Sequence, residues 1–126
     1  MKFTYDSDYF PPAPVIDISF GPPQQPLEVG PLAAFVDSGA DATIIPLRHL
    51  RPLQTQADDR KFLRSQWGEP RMVDVYYVDV GIGDLRLPLI EVVADDVGDE
   101  VILGRNVLNK LRVVLDGPQF VVEVSG

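Results

Sequence analysis

The chain has 126 residues, with 19 acidic against 11 basic side chains (net charge −8), 12 prolines, one histidine and no cysteine. That length suits one domain around one core; the missing cysteines exclude a disulfide framework or a thiolate metal site, and the lone His49 argues against a multi-histidine zinc centre. The acidic balance argues against nucleic acid or an anionic membrane as main partner, no apolar run approaches the roughly 18 residues of a membrane span, and Met1–Asp6 lacks the apolar stretch of a secretory leader, so a soluble cytoplasmic protein is expected.

Residues 1–14 are expected to form an irregular arm, and 15–126 the domain. Seven prolines fall between Pro11 and Pro31. A proline gives no N–H to a ladder, so this region reads as edge strand and loop, with Val15–Phe20 alternating as a short strand inside it. Leu32–Val36 is an apolar run entering a polar turn, as in a buried strand, and Ile44-Ile45 follows as another. Leu47–Leu53 has room for a helical turn between Pro46 and Pro52. Lys61–Leu63 and Arg71–Val80 read as strands around the break at 66–70, and Gly81-Ile82-Gly83-Asp84 signals a hairpin into Leu85–Val93. An acidic loop (Asp95, Asp96, Asp99, Glu100) leads to a short strand at Val101–Gly104. A helix is expected over Asn106–Leu111, capped by Asn106, with Val107, Leu108 and Leu111 on one face. Arg112–Leu115 and Phe120–Val124 close the chain as a hairpin. About nine short strands and one short helix predict an all-β fold, a small barrel or sandwich.

With no cysteine and one histidine, the chemistry falls to carboxylates, hydroxyls and backbone. The informative segment is Phe35-Val36-Asp37-Ser38-Gly39-Ala40-Asp41-Ala42-Thr43-Ile44-Ile45-Pro46. An apolar strand delivers Asp37 to a turn of small residues, and another apolar strand leaves it. A carboxylate so placed sits in a confined, partly apolar setting where its proton affinity is tunable. Asp-Ser-Gly alone is also a common surface turn. The apolar flanks, with Asp41 and Thr43 between them, make a plain loop tip the poorer account.

This segment resembles the mark of the retropepsin family, the retroviral type of aspartic protease. The family's second mark, an aliphatic pair followed by Gly-Arg-Asn and a leucine-bearing helix, is similar to Ile102-Leu103-Gly104-Arg105-Asn106-Val107-Leu108, which begins 65 residues after Asp37. The tail Leu111–Asp116 looks like the bacterial and other cellular members. The resemblance implies a small closed β-barrel with one short C-terminal helix, acting as a two-fold homodimer. It also implies aspartic endopeptidase activity on an extended peptide or protein, with no cofactor and no metal. Two carboxylates around one water are needed, and the chain holds one Asp-Ser-Gly; Asp79-Val80-Gly81 and Asp96-Val97-Gly98 lack the hydroxyl residue and the flanks. The second Asp37 is therefore expected from a second copy.

By position, the resemblance assigns Ser38 to a bond across the dimer, Gly39 to the substrate backbone, and Asp41 to substrate main chain and an ion pair with Arg105. Ala40 and Thr43 complete the loop. Phe35, Ile44 and Ile102 match pocket-lining positions, although each also reads as plain core. The flap candidate is Gln66-Trp67-Gly68, poorer in glycine than the family's usual tip, and Trp67 reads equally as a lid or as packing. Ala42 stands where retroviral members often carry an acid. Six basic residues (Arg48, Arg51, Arg60, Lys61, Arg64, Arg71) surround the flap and the acids 95–100 precede Ile102; these read as solvated faces or as rims that bias substrate charge. The altered flap leaves open a weakly active or inactive dimerisation or peptide-binding module on the same fold, and, further off, a generic barrel for another ligand.

Overall fold

In the segment Val15–Gly21 every side chain except Asp17 and Ser19 is buried, and such a run against the core makes a strand. A computed structural model describes residues 1–63 and 70–126; the expected flap tip, Gln66-Trp67-Gly68, lies outside the described residues. Ten strands are present among the described residues: β1 (Lys2–Thr4), β2 (Val15–Gly21), β3 (Val29–Val36), β4 (Thr43–Pro46), β5 (Asp59–Leu63), β6 (Arg71–Ile82), β7 (Leu85–Asp95), β8 (Val101–Leu103), β9 (Arg112–Asp116) and β10 (Val121–Ser125). Two short helices join them, α1 (Leu47–Leu50), which runs on into a 3₁₀ turn at Arg51–Leu53, and α2 (Arg105–Leu108).

Six strands run in the order β2-β3-β8-β4-β7-β6, and β2 pairs back onto β6, so the sheet closes into a barrel. β5 hangs outside the closure, as the first arm of a hairpin with β6. A second, three-stranded sheet, β1-β10-β9, packs Val122 and Val124 against the barrel core. That core holds Ile16, Ile18, Phe20, Ile45, Leu50, Ile82, Ile90 and Leu103, all essentially without exposure. Among the described residues no helix is long and apolar enough to cross a membrane.

Two prolines sit inside strands, and the barrel accommodates both at slips of register. The expectation of an edge strand among the prolines 11–31 is not met: β2 pairs with β3 on one side and β6 on the other, and β3, expected only over Leu32–Val36, begins at Val29 and pairs with β2 and β8. Gly30 and Pro31 fall where the β2–β3 register shifts between Ile18 and Phe20. Gly30 adopts φ +113°, and a Cβ there would stand 2.6 Å from the Ile18 carbonyl oxygen, so only glycine fits. Pro88 lies at a second slip, where Pro88 and Leu89 together face Asp79.

Asp79 repairs that second slip. It is 2% exposed and accepts hydrogen bonds from the N–H groups of Gln24 and Leu89, both at 3.0 Å. The Arg86 guanidinium adds two more, at 3.1 and 2.9 Å. Burial works against this carboxylate's charge, but the two backbone donors and Arg86 outweigh it and hold Asp79 below its ordinary range.

Two expected elements differ. Lys2–Thr4, expected to be irregular, pair with Val121–Glu123 as β1, and the terminal ammonium donates to the Val124 carbonyl at 2.8 Å. The expected helix Asn106–Leu111 is shorter and shifted: α2 ends at Leu108, and its N-cap is Gly104, without a side-chain bond. Asn106 does not cap because its amide is engaged elsewhere, as described next.

Candidate active site

The register places the expected pocket residues in one row. Phe35 pairs with Ile102 across β3–β8, and Ile102 pairs with Ile44 across β8–β4. Paired residues share a sheet face, so these three side chains stand side by side. All three are half-buried, while their neighbours Ala34, Val101, Leu103, Thr43 and Ile45 point into the core. Asp37 continues the β3 ladder, its N–H bonding the Leu103 carbonyl at 3.1 Å. Two residues beyond Phe35, its side chain therefore falls on the same face as the apolar row.

The turn that carries Asp37 is short and backbone-bonded. The Ala40 N–H reaches the Asp37 carbonyl at 3.2 Å. The Gly39 N–H donates to Asp37 Oδ1 at 2.9 Å. Asp37 Oδ2 takes no hydrogen bond from the described residues, and Ser38 and Gly39 are exposed. Among the described residues, one oxygen of this half-buried carboxylate is thus held and the other is free.

What ties this turn to the second motif differs from the expectation. Among the described residues no ion pair joins Asp41 to Arg105. Arg105 instead donates from its guanidinium to the Ser38 carbonyl at 2.9 Å and from its N–H to the Ala40 carbonyl at 2.8 Å. Motif spacing brought the two charges to one neighbourhood, but the turn's own carbonyls lie nearer the guanidinium and Asp41 stays exposed. The principal tie is buried. Thr43, fully buried, donates its hydroxyl to Asn106 Oδ1 at 2.7 Å and accepts from the Gly104 N–H at 3.1 Å. Asn106 Nδ2 in turn donates to the Glu91 carbonyl at 2.8 Å. Gly104 passes so near Ala42 that a Cβ would collide with the Ala42 carbonyl. Asn106 is the residue that sequence reasoning misplaced. The signal was Thr43, a hydroxyl between apolar strands that needs a buried partner.

A groove of about 170 Å³ opens beside Asp41 and Ala42, walled by Phe62, Val73 and the ion-paired Lys61 and Glu91. That bond raises the proton affinity of Lys61 and keeps it charged. The flanking charges largely answer one another: Arg48 bonds Asp99 at 2.9 Å, and Arg71 reaches Asp95 at 3.4 Å and Asp96 at 3.3 Å. His49 lies half-buried on α1, its proton affinity lowered by burial and by Arg48. Among the described residues no cluster of three or more His, Cys, Asp or Glu stands close enough to hold a metal.

An aspartate at the end of a barrel strand, beside an apolar row and in a turn whose carbonyls Arg105 holds, is the arrangement of the acid-protease class of fold. The model of the "gag-polyprotein putative aspartyl protease" family matches residues 28–110, and the chain belongs to that family of retropepsin-like aspartic proteases. Among solved structures it is similar to a retropepsin-like aspartic protease from Rickettsia conorii (14% identity, TM-score 0.62, covering 100% of this chain and 92% of the other). It is also similar to the retroviral protease-like domain of Ddi1 from Leishmania major (18%, 0.55, 90% and 89%). A third likeness is to EIAV protease complexed with the inhibitor HBY-793 (18%, 0.52, 86% and 93%). These likenesses concern the fold. No curated protein matches the chain by sequence.

Proposed function

We propose that the protein is an aspartic endopeptidase that works as a homodimer, with one Asp37 from each copy around a shared water. The observation that carries this reading is the free Oδ2 of Asp37, on an exposed turn beside the row Phe35–Ile102–Ile44. One chain supplies one such carboxylate. Two carboxylates about 3 Å apart do not both ionise cheaply, so they share a proton. The ionised Asp37 takes a proton from water as the water oxygen attacks the scissile carbonyl carbon. The protonated Asp37 gives its proton to the carbonyl oxygen. Collapse of the resulting diol returns a proton to the leaving nitrogen and breaks the C–N bond.

The substrate is an extended peptide. Its backbone faces Gly39 and Asp41, and its apolar side chains lie on the row. Ser38 supports the dyad across the dimer, and Ala40 and Thr43 hold the turn. The proposed compartment is the cytoplasm, which fractionation of host cells checks. Incubation with a peptide library between about pH 4 and 7, with and without a pepstatin-type inhibitor, tests the activity, and sedimentation tests the dimer. Cleavage that survives Asp37→Asn sinks the mechanism. Peptide binding without turnover points instead to a binding module on the same fold.

A further inference from the structure

The loop between β1 and β2 is not used by the mechanism, yet it reaches the site. Asp6 and Ala13 close its neck by two backbone bonds of 2.8 and 3.0 Å, and Asp6 Oδ1 accepts from the Asp8 N–H at 2.9 Å. From this closed loop Tyr9 lays its ring against Phe35, with centroids 5.9 Å apart and planes tilted by 52°. Its hydroxyl donates to Glu100 Oε1 at 2.9 Å, just before β8. The bond to Glu100 raises the phenol's proton affinity, so the donor stays protonated. Tyr9 is therefore gripped at both ends: ring on β3, hydroxyl beside β8. Those are the two strands that carry Phe35 and Ile102.

We infer that Tyr9 is a specificity-determining residue of the substrate cleft, a wall that narrows the pocket at Phe35 so that it takes a branched aliphatic side chain in preference to an aromatic one. This rests on the proteolytic reading above. The physical reason is space. The floor beside Asp37 is the row Phe35–Ile102–Ile44, and the ring of Tyr9 already covers the Phe35 end of it. An aromatic substrate side chain seeks the same contact with Phe35 that Tyr9 makes. A branched aliphatic side chain has the half-buried Ile102 and Ile44 to pack against and does not compete for that ring contact.

Two peptides that differ only in Leu or Phe on the N-terminal side of the scissile bond test this on the full-length protein. The readout is the ratio of kcat/KM for the Phe peptide to that for the Leu peptide. In Tyr9→Ala this ratio rises about tenfold, the scale on which an apolar pocket discriminates by size. In Tyr9→Phe, which keeps the ring and loses the bond to Glu100, it rises about threefold. Phe10→Ser, a change of the wholly exposed neighbour, leaves it unmoved. A ratio unchanged in Tyr9→Ala, or moved as much by Phe10→Ser, overturns the inference and leaves the proteolytic reading intact. If the wild-type protein cleaves neither peptide, the proteolytic reading fails, and the ratio of Kd values for the same two peptides decides. A tenfold shift in Tyr9→Ala supports the wall, and an unmoved ratio or no binding overturns it.

Discussion

Asp37 and Asp79 both stand where a strand's register ends or slips, and the barrel treats them in opposite ways. Asp79 is 2% exposed and every direction around its carboxylate is filled: two backbone N–H groups and two guanidinium donors. Among the described residues Asp37 accepts one bond, from the Gly39 N–H, and keeps an oxygen open beside an apolar row. The contrast separates a carboxylate that completes a structure from one that the proposed mechanism uses. Both belong to an Asp-x-Gly triplet in sequence. The middle residue decides little by itself; the donors waiting in the fold decide.

The contrast is broken most directly at Asp37. Asp37→Asn is expected to lower kcat by at least about 10³-fold, because the base is gone, while thermal melting stays near the wild-type value. Survival of the rate removes Asp37 from the chemistry. Asp79→Ala should do the reverse, leaving the site's residues in place and costing about 2–4 kcal/mol in urea unfolding. The Gln24 and Leu89 N–H groups lose their buried acceptor, and half-exposed Arg86 adds less because water screens it. A loss under 0.5 kcal/mol refutes the structural role.

Thr43→Val is a smaller test, aimed at the tie between the two motifs. It removes a donor to Asn106 and an acceptor for the Gly104 N–H, with an expected cost of about 2 kcal/mol, read by the same titration. Acid should sharpen the picture further. The folded-state proton affinity of Asp79 lies below its ordinary value of 3.8. Asp95 is likewise depressed, since the Gly98 and Val97 N–H groups and Arg71 outweigh its burial. Both therefore add stability above about pH 4 that is lost as pH falls below it. Melting temperatures measured from pH 6 down to 3 should fall more gently in Asp79→Asn than in the wild type. The smallest effect belongs to Arg48→Gln, at most about 0.5 kcal/mol, because its pair with Asp99 is exposed.

The site was legible where chemistry constrains residue type locally. A turn needing small residues around an acid, entered and left by apolar strands, is visible in 35–46, and the apolar row Phe35–Ile102–Ile44 follows from strands at family spacing. Partnerships were less legible. Asp41 and Arg105 have the right charges, but sequence does not say that the Ser38 carbonyl lies nearer the guanidinium. Asn106 fits the rule for a helix cap, yet a helix as short as Arg105–Leu108 leaves its amide to the buried Thr43. β1 was hidden because three residues with one polar face make no periodic signal. Its pairing partner, β10, lies nearly the whole chain away. The early prolines misled for a related reason: Pro31 sits at a register slip inside a central strand, and a slip is set by two strands together, whereas Pro88 fell inside the expected strand Leu85–Val93.

The closure of β2 onto β6 has a consequence for how copies of this protein meet in crowded solution. A closed barrel has no rim to which a foreign strand can add, so the outer flank of β5 and the two flanks of the small sheet, β1 and β9, are the open ladders among the described residues. Each carries full charges: Asp59, Arg60 and Lys61 on β5, Lys2 on β1, Arg112 and Asp116 on β9. Stacking any of these ladders against another strand buries charge beside the new hydrogen bonds, and that penalty guards against fibre-like growth. The same sheets that position the Asp37 turn thus leave few places to polymerise among the described residues.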